Sequence, residues 1–561
     1  MRTINTDVLI IGGGGAALRA AIEASRSGVQ VTLVLKDKLG KSGATAFQVS
    51  EMAGYNSPDG VEDKLDNPES YFEDMVSAGK GMADPKLAQI VAENAESSVQ
   101  ELDDWGVEFK KNPNGDYYAF LSCFSTKART HVIKGHGEPI IKAMINNLSD
   151  DINILDQTTA LRLLVNEGEC LGVYALEEKG EELLILSKAT ILATGGAGQL
   201  FEKNMNPYDI TGDGYALGYL AGADIVNMEF MQVGIGISYP LTSLINAYIW
   251  GGHPDLTDIN GKSIFDGRIP NILKKNDILD AHQHHFPFST SDDSKYLEIC
   301  IQKTILDKVA TTNGGVLCDF TNMTHEYVQS CTNKFGLHEM WPIAYKFLLS
   351  RGVDLLKNPV ELSCFAHAVN GGLKINEQAK TTVNRLFAIG ETAGGPHGAD
   401  RLGGNMMLTC QVFGKIAGRE AGKLAKDDKF NKYDNNMFNA DIDEVKQILY
   451  KDIDVKSFKD KIKKLNQRYL LILRSENGLL LLKENLKGLM KDLISSPAGD
   501  KPEIQNVEIY HMIITSLLMT RAAEMRKESR GSHYREDIPT LKDEYSKPNI
   551  LNNELFNLFE L

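Results

Sequence analysis

Apolar and polar positions alternate between three patterns along this chain. The first is short, β-branched and nearly all apolar: residues 8–11 (Val-Leu-Ile-Ile) and 29–35 (Val-Gln-Val-Thr-Leu-Val-Leu). Such runs suit strands buried on both faces. Between them stand Gly12 to Gly15, then strong helix formers over residues 16–24, broken at Gly28. Strand, glycine turn, helix and strand within about 30 residues form the unit that seats a pyrophosphate on a helix N-terminus. The second pattern is helical, over residues 69–80 and 85–105, with Asn67-Pro68 and Asp84-Pro85 as start signals. The third is a set of short strands, residues 152–155, 159–166, 170–177 and 182–187, expected to form a small sheet. Residues 189–198 (Ala-Thr-Ile-Leu-Ala-Thr-Gly-Gly-Ala-Gly) predict a separate buried strand ending in Thr-Gly-Gly, where the backbone at Gly195 must approach something closely.

Beyond residue 210 the pattern loosens. Thr211-Gly-Asp-Gly214 opens a helix rich in Ala and Gly, and Asp213 is placed to cap it or to bond a ribityl chain. From about residue 232 to 359 aromatics, Pro and His increase, which predicts an inserted domain. His282, His284 and His285 lie in a polar loop without clear ligand partners, so no metal site is expected. Residues 365–373 precede a strand pair, and residues 385–391 predict a strand ending in Gly-Glu. Residues 397–405 (His-Gly-Ala-Asp-Arg-Leu-Gly-Gly-Asn) form a glycine-dense loop feeding a helix over 406–424. Such a loop offers N–H groups and a positive helix end to an anion, such as a reduced flavin ring or a carboxylate. From residue 427 the chain is helical, and it closes on Ser529-Arg-Gly-Ser-His-Tyr-Arg-Glu-Asp-Ile-Pro539 and a polar tail.

Composition narrows the function classes. A chain of 561 residues predicts several domains, and 42% hydrophobic with 24% charged residues is ordinary for a globular protein. A net charge of −15 without a basic stripe excludes a nucleic-acid partner. The Lys-rich residues 456–464 are expected to be a solvated helix face. The seven cysteines are scattered without a C-x-x-C, so neither a zinc nor an iron–sulfur site is encoded, and a reducing cytosol is the expected setting. With strand residues beginning at once and no apolar run of about 18 residues, neither a leader nor a membrane span is expected. The expected location is cytoplasmic, with a peripheral place at a membrane open through a partner.

The chemistry concentrates in the glycine turn. Gly12-x-Gly14-x-x-Ala17 fits the dinucleotide fingerprint, with alanine in its third place. The acid expected at the end of the second strand is missing. Leu35 and Lys36 stand there, so Lys36 becomes the candidate cofactor contact and NAD is disfavoured more than FAD. The polar loop 41–45 (Lys-Ser-Gly-Ala-Thr) is placed to lie along a flavin and its phosphates.

These pieces in this order resemble the flavoprotein subunits of fumarate reductase and succinate dehydrogenase, with L-aspartate oxidase as a relative. The matching stretches are residues 10–21, 193–196, 211–214, 228–232, 367–372, 390–391, 397–405 and 529–539. The resemblance implies an α/β fold: a discontinuous Rossmann-type FAD-binding domain over 1–231 and 360–426, an inserted α+β capping domain over 232–359, and a C-terminal helical domain and tail over 427–561. It implies that Gly12, Gly14 and Gly15 hold the pyrophosphate and that Ser42, Gly43 and Thr45 lie beside the flavin. Asp213 and Glu391 then bond the FAD sugar chain, and the backbone of Asn405, Met406 and Met407 contacts the ring. His367 and Arg401 bind the substrate carboxylate, a task that suits the fork of an arginine.

Departures from the family pattern shape the expected substrate. Covalent members have a histidine where Ala44 stands, so non-covalent FAD is expected. The loop that normally continues Ala-Gln-Gly-Gly here continues with residues 47–51, Phe-Gln-Val-Ser-Glu. After Glu229-Phe-Met-Gln232 the family has Phe-His-Pro-Thr, a carboxylate-binding pair, but this chain has Val-Gly-Ile-Gly. The family's proton-donating arginine falls near residues 250–253, Trp-Gly-Gly-His. Trp250 and Tyr248 are therefore expected to line a more apolar cavity, with His253 as candidate replacement acid. Three functions stay open. One is an FAD-dependent oxidoreductase exchanging a hydride between flavin N5 and a small carboxylate-bearing substrate other than fumarate or succinate. The second is an electron-transfer subunit with a degenerate pocket, docked on an iron–sulfur protein. The third is an oxidase using oxygen.

Overall fold

The computed structural model describes residues 1–47, 53–331, 336–428 and 435–552. Its organising layer is a seven-stranded sheet. Strand β1 (Arg2–Ile11) is followed by helix α1 (Gly15–Ser25) and by β2 (Val31–Val34), which lies parallel beside it. On the other side of β1 lies β3 (Glu182–Leu192), also parallel. Val8, Leu9 and Ile10 have no exposed surface, as an apolar run needs when both sheet faces are covered.

The strands expected to form a small separate sheet belong to this same sheet. Asn153–Leu155 extends it beyond β2, while Thr158–Asn166 and Glu169–Glu177 form an antiparallel hairpin on the first half of β3. The second half of β3 pairs in parallel with Leu386–Ala388. The pattern predicts separate strands over residues 182–187 and from 189 onward, but one strand serves two neighbours end to end. Lys188, the polar position between its halves, does not break it. Its Nζ reaches Asp7 at 2.8 Å and the Ala425 carbonyl at 3.1 Å.

Helix α2 (Asp213–Leu220) precedes the inserted segment. That segment is entered by β4 (Met231–Tyr239) and left by β5 (Val360–Val369), which pair antiparallel from Met231 with Val369 to Tyr239 with Glu361. Residues 365–369, expected to precede a strand pair, are thus the end of a ten-residue strand. The chain then returns to the first sheet and enters helix α3 (Asn405–Asp427). Glycines on α3 let it lie against α1: a Cβ on Gly418 would sit 2.4 Å from the Ala20 carbonyl oxygen.

Among the described residues the helices Asn439–Leu449, Val455–Tyr469, Glu476–Ser495 and α4 (Ile504–Met525) follow. Helix α4 is apolar around most of its circumference and correspondingly buried. It touches the turn before α2, where Thr515 Oγ1 donates to the Gly212 carbonyl at 3.0 Å. The Lys-rich helix is only partly a solvated face, because Lys459 pairs with Glu508 and Lys463 donates to Gln199 at 2.7 Å. The stretch 529–535 near the end of the chain is buried. Ser532, His533 and Arg535 have no exposed surface. The N–H and Oγ of Ser532 both donate to the Ala399 carbonyl at 3.1 Å, bracing the glycine-dense loop from behind. No helix among the described residues is long and apolar enough to cross a membrane.

Candidate functional site

A cavity of about 400 Å³ runs from the turn after β1 to the foot of the inserted segment. At the first end Gly12 has φ +126°, and a Cβ there would sit 2.2 Å from the Ala193 carbonyl oxygen, so only glycine fits. Gly14 caps α1 without a side-chain hydrogen bond, and the first turn carries no acidic residue. A Cβ on Gly14 would meet nothing nearer than Thr45 Oγ1 at 3.8 Å. Gly15 N–H donates to Thr45 Oγ1 at 3.2 Å. The result is an open helix N-terminus with backbone donors and no carboxylate in its own first turn, which suits an anion. Ser42, Gly43, Ala44 and Thr45 line the same wall. Ala17 does not reach the cavity. It is wholly buried in the core, where its small size admits close packing.

Lys36 and Asp213 both line this end and satisfy each other. Lys36 Nζ lies 2.6 Å from Asp213 Oδ2 and 3.1 Å from Glu508 Oε2, and donates to Thr211 Oγ1 at 2.8 Å. Asp213 also lies 3.2 Å from His511 Nδ1. Burial opposes both charges, but the pairing prevails: the lysine is held above its ordinary value and the aspartate well below its own. Asp213 thus brings a carboxylate from another element to the end of β2.

In the middle, Gly195 (φ +78°) and Glu391 line the cavity. A Cβ on Gly196 would lie 2.0 Å from Glu391 Oε1. Glu391 Oε1 accepts the Val369 N–H at 2.9 Å. Burial pushes this carboxyl up to about 7, against the pull of Val369 N–H and Arg401. Gly404 caps α3 without a side-chain hydrogen bond, and Gly404, Met406 and Met407 face the same space. Asn405 stands behind them, its Oδ1 accepting from Asn56 Nδ2 and Tyr71 OH.

The far end gathers Arg401 and His367. Arg401 is only 7% exposed. Its Nε donates to Gln232 Oε1 at 2.9 Å and its Nη1 to the Leu402 carbonyl at 3.0 Å, while Gln232 Nε2 donates to the Arg401 carbonyl at 3.3 Å. One glutamine therefore fixes both the backbone and the fork of this arginine. Burial, then Arg401, depress His367 to about 3, so its ring is neutral. Phe286 meets that ring edge-on, with centroids 5.7 Å apart.

Trp250 and His253 are not brought to the cavity. Trp250 sits on the short helix Ala247–Gly252, 1% exposed, and packs edge-on against His282 at 5.7 Å. His253 ends that helix and places Nε2 2.7 Å from Asp280 Oδ1. Tyr248 donates to the Leu121 carbonyl and does not line the cavity either. His282 pairs with Glu298 at 2.6 Å and His285 with Asp292 at 3.0 Å. Among the described residues no group of three or more His, Cys, Asp or Glu is arranged to hold a metal. Sequence reasoning missed Cys123, Met205, Leu244, Ile245 and Phe286, all of which line the cavity. They come from four separate segments and share no motif. The one signal was the apolar sequence that replaces polar residues after Gln232.

The family described as FAD binding domain matches residues 7–407, and that described as fumarate reductase flavoprotein C-term matches residues 459–556. The chain is 34% identical to an uncharacterized FAD-dependent oxidoreductase of Methanocaldococcus jannaschii, over 97% of this chain and 95% of that protein. It is 31% identical to a fumarate reductase (CoM/CoB) subunit of Methanothermobacter marburgensis, over 98% and 97% of the two chains. Its fold matches Mycobacterium smegmatis Sdh1 in complex with UQ1 with a TM-score of 0.82, at 23% identity, over 100% of this chain and 97% of that one. The glycine cradle, closed to side chains at Gly12 and open at Gly14 and the α1 N-terminus, fits the diphosphate of FAD.

Proposed function

Because the chain belongs to the fumarate reductase flavoprotein family of FAD-dependent oxidoreductases, we propose that it oxidises or reduces a small organic acid other than fumarate or succinate. The observation that carries this reading is Arg401, a buried guanidinium lining the same cavity as the glycine cradle and, among the described residues, hydrogen-bonded to neutral partners. Arg401 holds the substrate carboxylate, and the neutral His367 orients it. Among the described residues lining the cavity, no second unneutralised lysine or arginine stands ready for the other carboxylate of a dicarboxylate, and Val233 to Gly236 replace the expected histidine and threonine. Losing one charge-assisted pair costs about 2–5 kcal/mol. FAD supplies the two-electron redox chemistry when bound. Gly12, Gly14 and Gly15 seat its diphosphate, Ser42, Gly43 and Thr45 flank it, Asp213 and Glu391 bond its sugar chain, and the α3 N-terminus at Asn405, Met406 and Met407 meets its ring. Ala44 has no atom with which to bond the flavin, so the cofactor is held non-covalently. We assign 1–231 and 360–426 to the FAD-binding domain, 232–359 to the capping domain and 427–561 to the C-terminal domain.

The visible spectrum before and after acid precipitation is the first test. Flavin colour passing into the supernatant supports non-covalent FAD, and colour kept in the pellet refutes it. A panel of small acids should then perturb the flavin spectrum of the native protein and not that of Arg401→Gln. An unchanged response in the variant would sink the assignment. The relative named as part of a fumarate reductase supports a second reading, in which an iron–sulfur protein carries the electrons. Iron co-purifying in stoichiometric amount favours it, and hydrogen peroxide released on adding substrate favours direct use of oxygen.

A further inference from the structure

The wall facing Arg401 is apolar in an unusual way. Met205, Leu244 and Phe365 form a cluster separate from the main core, and Phe286 packs on it. Met205, Leu244 and Phe286 also line the cavity, so this cluster is a wall rather than interior filling. Its polar neighbours are already engaged or uncharged. Cys123 Sγ accepts the Phe286 N–H at 2.9 Å, and burial raises its thiol above the usual range. Gln232 is tied to Arg401 at both ends of its amide. His367 is neutral.

Charge at this end is equally sparse. Among the described residues lining the cavity, the lysine and arginine side chains are Lys36 and Arg401. Lys36 belongs to the cradle end, where Asp213 and Glu508 neutralise it. His136 is held below its ordinary value by burial and by Arg351. One cation therefore faces an apolar wall. A second carboxylate placed against Met205, Leu244 and Phe286 loses its water and meets no second unneutralised lysine or arginine among the described lining residues. An apolar substituent there gains burial, and an aryl ring also meets the edge of Phe286.

We propose that the substrate is a monocarboxylic acid with an apolar tail, branched aliphatic or aryl, whose carboxylate sits on Arg401 and whose tail lies against Met205, Leu244 and Phe286. This rests on the reading of Arg401 as the acid-binding group. The test uses the FAD-loaded protein and measures binding by calorimetry and by perturbation of the flavin absorbance, without turnover. The probes are acetate, isovalerate, cinnamate, cinnamamide, malate, aspartate and succinate. Isovalerate or cinnamate should bind at least about tenfold more tightly than any of the last three, and cinnamamide at least about tenfold more weakly than cinnamate. Phe286→Ala should weaken cinnamate about tenfold and leave acetate unchanged. Phe286→Leu, which keeps most of the bulk, should weaken cinnamate several-fold and spare isovalerate, and it serves if the alanine variant fails to fold. Tighter binding of malate, aspartate or succinate, lost in Arg401→Gln, overturns the apolar tail and leaves the acid-binding reading standing. If no acid binds, or Arg401→Gln binds as the native protein does, both fall together.

Discussion

Two buried arginines hang from one short run of chain, and their partners differ by one atom type. Glu229 Oε1 accepts Arg526 Nε at 2.6 Å, and three residues later Gln232 Oε1 accepts Arg401 Nε at 2.9 Å. Arg526 is wholly buried, also bonds Glu528 at 2.9 Å and the carbonyls of Tyr545 and Lys547, and lies over the Phe230 ring at 5.0 Å. Arg401 is nearly as buried but is hydrogen-bonded to an amide and a carbonyl, with no carboxylate among those partners. A buried charge needs compensation. Arg526 has it from within the chain, so its charge is spent on structure. Arg401 has a neutral clamp that fixes its geometry and leaves its charge for a ligand. Glu391, the acid that faces it through the cavity, is pushed up to about 7 and is only partly ionised near neutrality.

The contrast can be broken most strongly at its structural half. Arg526→Met strands Glu229, whose remaining side-chain donor is Asn549 at 2.9 Å. Removing one member of a buried pair typically costs about 3–5 kcal/mol, to be read from urea unfolding. Arg401→Met, which strands no hydrogen-bonded carboxylate, should stay within about 1 kcal/mol of the native protein. Equal losses would mean that the two arginines do the same work.

The next effect concerns Glu391 in the FAD-free protein. Its carboxyl rises from 4.5 to about 7 on folding, so the native state binds the extra proton. The associated stability is fully present below pH 4.5 and is lost as the pH rises through 7. The loss amounts to about 3 kcal/mol. Unfolding free energies of Glu391→Gln and native protein, compared at pH 5 and pH 8, should diverge by about 2.5 kcal/mol in favour of the variant at the higher pH. Parallel pH profiles would show that Glu391 ionises freely and already neutralises Arg401. A smaller effect sharpens the other half. Gln232→Glu turns the neutral clamp into a carboxylate, and acid binding should weaken by about 1.5–3 kcal/mol, ten- to a hundredfold, with stability little changed.

The parts of this site visible in the sequence are those set by local chemistry. Gly12 to Ala17 follow from the needs of one turn and one helix start, and Gly404 with Asn405 from another. Arg401 and His367 lie within stretches that resemble a known family. Lys36 is visible as an anomaly, but its neutralisation is not, because Asp213, Glu508 and His511 come from distant segments. Strand β3 reads as two strands because polar Lys188 interrupts its apolar run, and nothing in the sequence shows that Asp7 and the Ala425 carbonyl hold that lysine in place. Residues 529–539 read as a family-like stretch, but composition does not show that they are mostly buried or that Arg526 just before them pairs with Glu229, 297 positions away. Met205, Leu244, Cys123 and Phe286 have no signature at all. They are ordinary residues until the inserted segment folds over the glycine-dense loop.

His253 gives the smallest expected effect and guards the comparison from the outside. By sequence it is the candidate acid, because it stands near the place of the family's proton-donating arginine. The fold turns it away: it ends the helix Ala247–Gly252 at φ +52°, and its Nε2 meets Asp280. Asp280 is itself substantially exposed, so the pair is worth at most about 1 kcal/mol. His253→Gln retains a donor for Asp280 and should leave acid affinity, flavin perturbation and turnover within about twofold of the native protein. A tenfold loss in turnover with unchanged affinity would mean that the inserted segment carries His253 to the cavity once an acid is bound. The proton would then come from a group that the ligand-free fold holds elsewhere, and Arg401 would bind the substrate without being the site's only functional charge.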